Sequence, residues 1–138
     1  MTSVPYRIMV ALAARGDERP VIKQAALYAK KFNAHLIAIH VNQPALSQPK
    51  GAVDQKLTKA DIQDRFIKYG FENILDDLEI IIEYGESISK IINKYAHDID
   101  LIILGHRKQT NFRSRIMDSI DEGISNIVSC PVLVVQKN

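Results

Sequence analysis

In Leu101-Ile102-Ile103-Leu104-Gly105-His106-Arg107-Lys108, four consecutive large apolar residues stop at a glycine and a run of cations begins at once. A short apolar run bounded by turn chemistry predicts a strand buried on both faces. Gly105 gives the backbone freedom to turn sharply or to approach a ligand closely. Arg107, Lys108, Arg113 and Arg115 fall within nine positions, with no acidic residue between them. In a parallel sheet the carboxyl ends of the strands are where ligands dock, so a chemical site is expected here.

The rest of the chain alternates strand and helix patterns around this stretch. Arg7 to Ala13 predicts a first strand, apolar on both faces. Val21, Ala25, Tyr28, Ala29 and Phe32 recur at helical spacing up to Asn33. His35 to Val41 predicts a second buried strand, and Asn42 to Val53, with Pro44, Pro49 and Gly51, a loop. Asp54 to about Tyr69 reads as a helix with a weak apolar pattern, and Gly70 to Asp77 as an irregular or partly helical connection. Leu78 to Glu83 predicts a third strand, whose flanking glutamates suit a sheet edge. Glu86 or Ser87 caps a helix carrying Ile88, Ile91, Ile92, Tyr95 and Ala96. Beyond the basic stretch, Ile116, Ile120, Ile124, Ile127 and Val128 mark a last amphipathic helix. Pro131 stops it, and Val132 to Val135 is the fifth strand.

Strands joined by helical crossovers predict an α/β fold of one domain over residues 1–138. It has three layers around a doubly wound sheet of five parallel strands, wound right-handedly. The expected order is 3-2-1-4-5, with the winding reversed between strands 1 and 4. The crevice then lies beyond Ala13 and Gly105, with Val41 nearby.

Composition narrows the function. The 138 residues carry a formal net charge of +2, too small for nucleic-acid binding through bulk electrostatics. No apolar run is long enough for a bilayer, and the N-terminus lacks a signal-type core. Cys130 is the single cysteine, so no internal disulfide forms. These features point to a soluble cytoplasmic protein.

Almost the whole chain resembles the universal stress protein family, a Rossmann-like branch of the adenine-nucleotide α-hydrolase-like fold. The resemblance rests on IMVAL in the first strand, the apolar helix after it, HLIAIHV, DIDLIILGHRK and SNIVSCPVLVV, in family order and spacing. It implies one of two kinds of protein. One binds ATP through a loop of the form G-x2-G-x9-G-[S/T] after strand 4. The other, similar to universal stress protein A, lacks that loop chemistry. Aligned on Gly105, the second glycine falls at Lys108 and the third at Asp118, while Ser119 keeps the hydroxyl. The aspartate that ends strand 1 in the family falls at Ala13.

Those substitutions disfavour ATP binding of the family kind. Glycines in a phosphate loop let backbone N–H groups face the phosphates. Lys108 adds a side chain there, Asp118 sets a negative charge near the phosphate path, and Ala13 removes a polar anchor. Ala13, Val41, Gly105, Arg107, Lys108 and Ser119 together outline a degenerate nucleotide crevice. Arg107, Lys108, Arg113 and Arg115 either hold an anion with their side chains or form a solvated loop balanced by Asp118, Asp121 and Glu122. Ser119 either caps the last helix or touches a phosphate.

His106 hydrogen-bonds local backbone or donates a proton in the crevice, and His40 is buried or bridging. His35 and His97 lack ligand-like spacing, so no metal is expected. Cys130 reads as a packed thiol, and Asp100 lies at the wrong end of its strand for catalysis. No Ser-His-Asp arrangement and no P-loop appear, and the resemblance implies a non-enzymatic stress-response protein without a cofactor. The alternative is an ATP- or AMP-binding regulator with a diverged loop.

The apolar edge strand Val132-Leu133-Val134-Val135 suits pairing with its own copy in a homodimer. The resemblance implies the same contact.

Overall fold

The computed structural model describes residues 5–44, 56–107 and 130–137. Five parallel strands form one sheet in the order β3-β2-β1-β4-β5. They are β1 (Arg7–Ala11), β2 (His35–Asn42), β3 (Leu78–Tyr84), β4 (Leu101–Arg107) and β5 (Val132–Lys137). The described helices are α1 (Arg19–Lys31), α2 (Lys59–Lys68) and α3 (Ile88–Ala96), with a short 3-10 segment at Glu72–Asp77. Among the described residues no helix is long and apolar enough to cross a membrane.

Side chains alternate between the two faces of each strand, and the two faces feed two separate cores. Ile8, Val10, Leu36, Ala38, Leu101 and Ile103 pack with Val21, Ile22 and Ala25 of α1 and with Ile62 and Phe66 of α2. Met9, Ile37, Ile39, Ile102 and Leu104 pack with Ile92 and Ala96 of α3. This two-sided burial is why the inner strands read as unbroken apolar runs. Cys130 packs at the margin of the second core, and burial pushes its thiol up from the ordinary range.

Among the described residues β3 pairs only with β2, the edge position its glutamates suggest. Glu79 lies 2.9 Å from His35 Nε2. Glu83 accepts the Tyr95 hydroxyl proton and lies 3.3 Å from Lys94 Nζ. Asp100 ties strand starts together, its carboxylate accepting the Arg7 N–H at 2.8 Å.

The structure corrects several sequence expectations. Asn42 is the buried last residue of β2, not the start of a loop. α2 starts at Lys59 rather than Asp54, because Thr58 and Asp61 close a reciprocal capping box. Its buried positions are Ile62 and Phe66. Gly105 and Arg107 belong to β4 rather than a turn, since the ladder continues through Gly105↔Val135 to Arg107↔Lys137. β5 likewise runs on through Gln136 and Lys137. Of the two candidate caps of α3, Ser87 is the one used, accepting the Lys90 N–H at 3.3 Å. The last predicted helix and Lys108, Arg113, Arg115, Asp118 and Ser119 lie outside the described residues, as does most of the loop predicted after Asn42.

Candidate functional site

The sheet order reverses between β1 and β4, which opens the crevice at their carboxyl ends. The register sets Ala11 beside Ile39 and beside Leu104. Ala13, Val41 and the Gly105–His106 pair therefore stand at one level along this edge of the sheet. Ala13 is exposed, Val41 is buried opposite Glu83, and His106 is half-buried.

Gly105 matters through its missing side chain, though not as a hinge. A Cβ there would sit 2.5 Å from Lys137 Cδ and 2.8 Å from Val21 Cγ2. The Lys137 stem crosses the glycine, and its Nζ donates to the Arg15 carbonyl at 3.2 Å. Lys137 is only 8% exposed, so the last strand delivers a buried cation to the β1–α1 connection.

That connection holds a second buried charge. Glu18 is 2% exposed. Its Oε2 accepts the Ala13 N–H at 2.9 Å, so a carboxylate sits at the end of β1 even though residue 13 is alanine. Its Oε1 lies 2.8 Å from an Arg65 terminal nitrogen. That contact is a charge pair rather than an aligned hydrogen bond, leaving Oε1 without a hydrogen-bond donor. The same arginine nitrogen donates to the Gly16 carbonyl at 2.9 Å. The Glu18 N–H donates to the Tyr69 hydroxyl at 3.2 Å, and the Arg65 guanidinium lies 5.9 Å from the Tyr69 ring centre. α2 thus clamps the loop after β1. The loop bends back through left-handed residues Ala14 and Gly16, at φ of 59° and 61°, and for alanine that conformation is strained.

His40 completes the cluster from the neighbouring strand. Its Nδ1 lies 2.8 Å from the Leu12 carbonyl, and Nε2 lies 3.2 Å from Asn42 Oδ1. A carbonyl only accepts, so Nδ1 carries a ring proton. Asn42 in turn pairs with both backbone groups of Leu57, donating to its carbonyl at 2.9 Å and accepting its N–H at 2.9 Å. One peptide unit, between Leu12 and Ala13, is therefore gripped at its oxygen by His40 and at its N–H by Glu18.

Of the residues expected at the site, Ala13, Val41, Gly105 and Arg107 stand on one edge of the sheet; Lys108 and Ser119 lie outside the described residues. The sequence reading missed Glu18, Arg65, Tyr69, Asn42 and Lys137. His40, expected to be buried or bridging, is both. Among the described residues no three His, Cys, Asp or Glu side chains converge as metal ligands do.

Comparison with known proteins agrees with this architecture. The "Universal stress protein A homolog" of Haemophilus influenzae is 27% identical over 143 residues, spanning 94% of this chain and 96% of that protein. "Universal stress protein A" of Yersinia pestis is 29% identical over 140 residues, spanning 93% and 89%. A solved universal stress protein in complex with cAMP superposes with a TM-score of 0.69 at 18% identity, covering 99% of this chain and 100% of that one. The sequence profile described as the universal stress protein family matches residues 6–136. With that match over nearly its whole length, this chain belongs to the universal stress protein family.

Proposed function

We propose that this chain is a non-enzymatic stress-response regulator of the universal stress protein A kind. In this reading it acts in the cytoplasm as a homodimer through β5 and does not bind ATP by the glycine-loop mode. The observation that carries the reading is the occupied end of β1. The position where the resemblance expects an aspartate is Ala13, and its N–H is already taken by the inward-facing Glu18. That carboxylate is neutralised by Arg65, so it is committed to the fold rather than to a ligand. Lys108 and Asp118 in place of two loop glycines point the same way. The relatives in Haemophilus influenzae, a universal stress protein A homolog, and in Yersinia pestis, universal stress protein A, support the assignment to that branch.

Two measurements test it. Protein purified without added nucleotide is denatured and its supernatant examined by absorbance and mass spectrometry; no adenine nucleotide is expected. Calorimetry with ATP and Mg²⁺ is expected to give a Kd weaker than about 100 μM, or ~5.4 kcal/mol. Low-micromolar binding overturns the reading.

The second reading is an adenine-nucleotide-binding regulator. The cAMP complex of a relative with this fold favours it, as does the run of cations that follows Gly105 in the sequence. AMP and cAMP titrated alongside ATP separate the two: saturable binding of either one, with ATP inert, selects the second reading.

A further inference from the structure

The opposite end of the sheet from the crevice carries a groove of about 440 Å³ between α1 and the 3-10 segment. Small-molecule sites occupy roughly 300–1,000 Å³, are mostly apolar, and hold a few placed polar groups. This groove has that composition. Ala26, Ala29 and Ala34 leave room beside Leu36, while Leu27, Phe71 and Ile74 form apolar walls. Leu27 is 41% exposed, so its side chain is open to a ligand in the groove.

The polar groups are unevenly placed. Lys23 and Lys30 line the α1 side. Both are exposed, and neither pairs with any described acidic residue. Asp77 lines the other side. The register Leu36↔Leu78 puts Asp77 level with His35, at the end of the groove where Lys30 leaves α1. Lys23 stands seven residues earlier on the helix, about 10 Å away along its axis. One end of the apolar slot therefore carries Lys23, and the far end carries Lys30 and Asp77 together.

We propose that this groove binds a single-chain amphiphile with an anionic head, a medium-chain carboxylate, with the head at Lys23 and the chain between Leu27, Phe71 and Ile74. Charge complementarity selects an anion over a cation, and the apolar walls select an acyl chain over a compact anion such as phosphate. The site lies away from the crevice and does not depend on the reading of that crevice.

Decanoate below its micellar concentration is the probe, followed by calorimetry and by methyl chemical shifts of Leu27 and Ile74. Saturable one-to-one binding tighter than about 100 μM is expected, with shifts at both methyl sets. Lys23→Glu and Leu27→Asp, both on exposed side chains, should each weaken binding at least tenfold while the far-UV spectrum stays unchanged. Should either variant fail to fold, Lys23→Gln tests the same charge. Decylammonium and decyl maltoside should bind at least tenfold more weakly than decanoate. Any one of three results overturns the proposal: no saturable binding, equal binding of all three head groups, or unchanged affinity in Lys23→Glu. A groove that takes an acidic amphipathic peptide and ignores decanoate is a protein-docking face, which also overturns it.

Discussion

Glu18 lends its carboxylate to the backbone N–H of Ala13 at 2.9 Å, five residues back along the chain. The contact explains how Ala13, two residues past the end of β1, keeps its amide paired beside a crevice. It also fixes the direction of the loop into α1 and draws Arg65 of α2 into the same cluster. Nearly complete burial of Glu18 makes this arrangement depend on its counter-charge.

Removing that counter-charge is therefore expected to be costly. Arg65→Ala should destabilise the fold by ~3–5 kcal/mol, the range for stranding one charge of a buried pair. Glu18→Gln alone should cost less, since the amide oxygen can still accept the Ala13 N–H. Urea unfolding of the two single variants and the double gives the coupling. The double should be markedly less damaged than the sum of the singles; strict additivity would show that the pair does not interact.

The crevice edge offers a steric test. Gly105→Ala places a methyl 2.5 Å from Lys137 Cδ and 2.8 Å from Val21 Cγ2. Lys137 is a flexible chain, but it is buried here, and Val21 belongs to the core. Overpacking of about 1–3 kcal/mol is expected, read as a lower urea midpoint. Adding Lys137→Ala should recover only part of it, because the Val21 contact remains. A Gly105→Ala protein as stable as the parent would show that the crevice edge yields freely.

These two tests mark where the sequence was and was not legible. The covered parallel sheet is legible because Ile8 to Val10, Leu36 to Ile39 and Leu101 to Leu104 are apolar on both faces and alternate with helical patterns, as strands buried on both sides do. The ends of the strands are less so. Gly105 resembles a turn, and only the partner β5 reveals that the ladder continues past it. Glu18 looks like a loop acid, because nothing in Ala13-Ala14-Arg15-Gly16-Asp17 announces the left-handed bend at Ala14 that returns it to the sheet. Alanine gives no signal for that conformation. Arg65 is hidden for a related reason: α2 has a weak apolar stripe, and its most consequential residue is a cation.

Tyr95 and Glu83 supply a pH test outside the crevice. The hydrogen bond to Glu83 pushes the Tyr95 phenol up to about 12. The same bond, with help from Lys94, holds the Glu83 carboxyl below its ordinary value of 4.5. For the tyrosine, the raised folded value means a contribution that is complete below pH 10 and disappears as pH rises through about 12. For the glutamate, the lowered value means a contribution complete above about pH 4.5 that disappears as pH falls through the folded value. Ultraviolet titration should show one of the five tyrosines ionising last. Glu83→Gln should return that midpoint toward 10; an unchanged titration would mean the pair is not formed in solution.

The last prediction concerns assembly. β5 pairs with β4 on one side and with no described strand on the other, so it is the second edge of the sheet. Its outward character is apolar where protected edges are charged: Val134 is 45% exposed, and Val132, Leu133 and Val135 are half-buried. β3, the other edge, carries Glu79 and Glu83 with their partners His35 and Lys94. An apolar, unpaired edge invites association, and a two-fold contact with a second copy closes it without propagating. Light scattering at tens of micromolar should give about twice the 15.6 kDa chain mass. Val134→Lys sets like charges near the axis, so it should shift the mass to the monomer or cause aggregation. A parent protein at 15.6 kDa under those conditions would exclude the dimer, and a Val134→Lys dimer as tight as the parent would place the contact elsewhere.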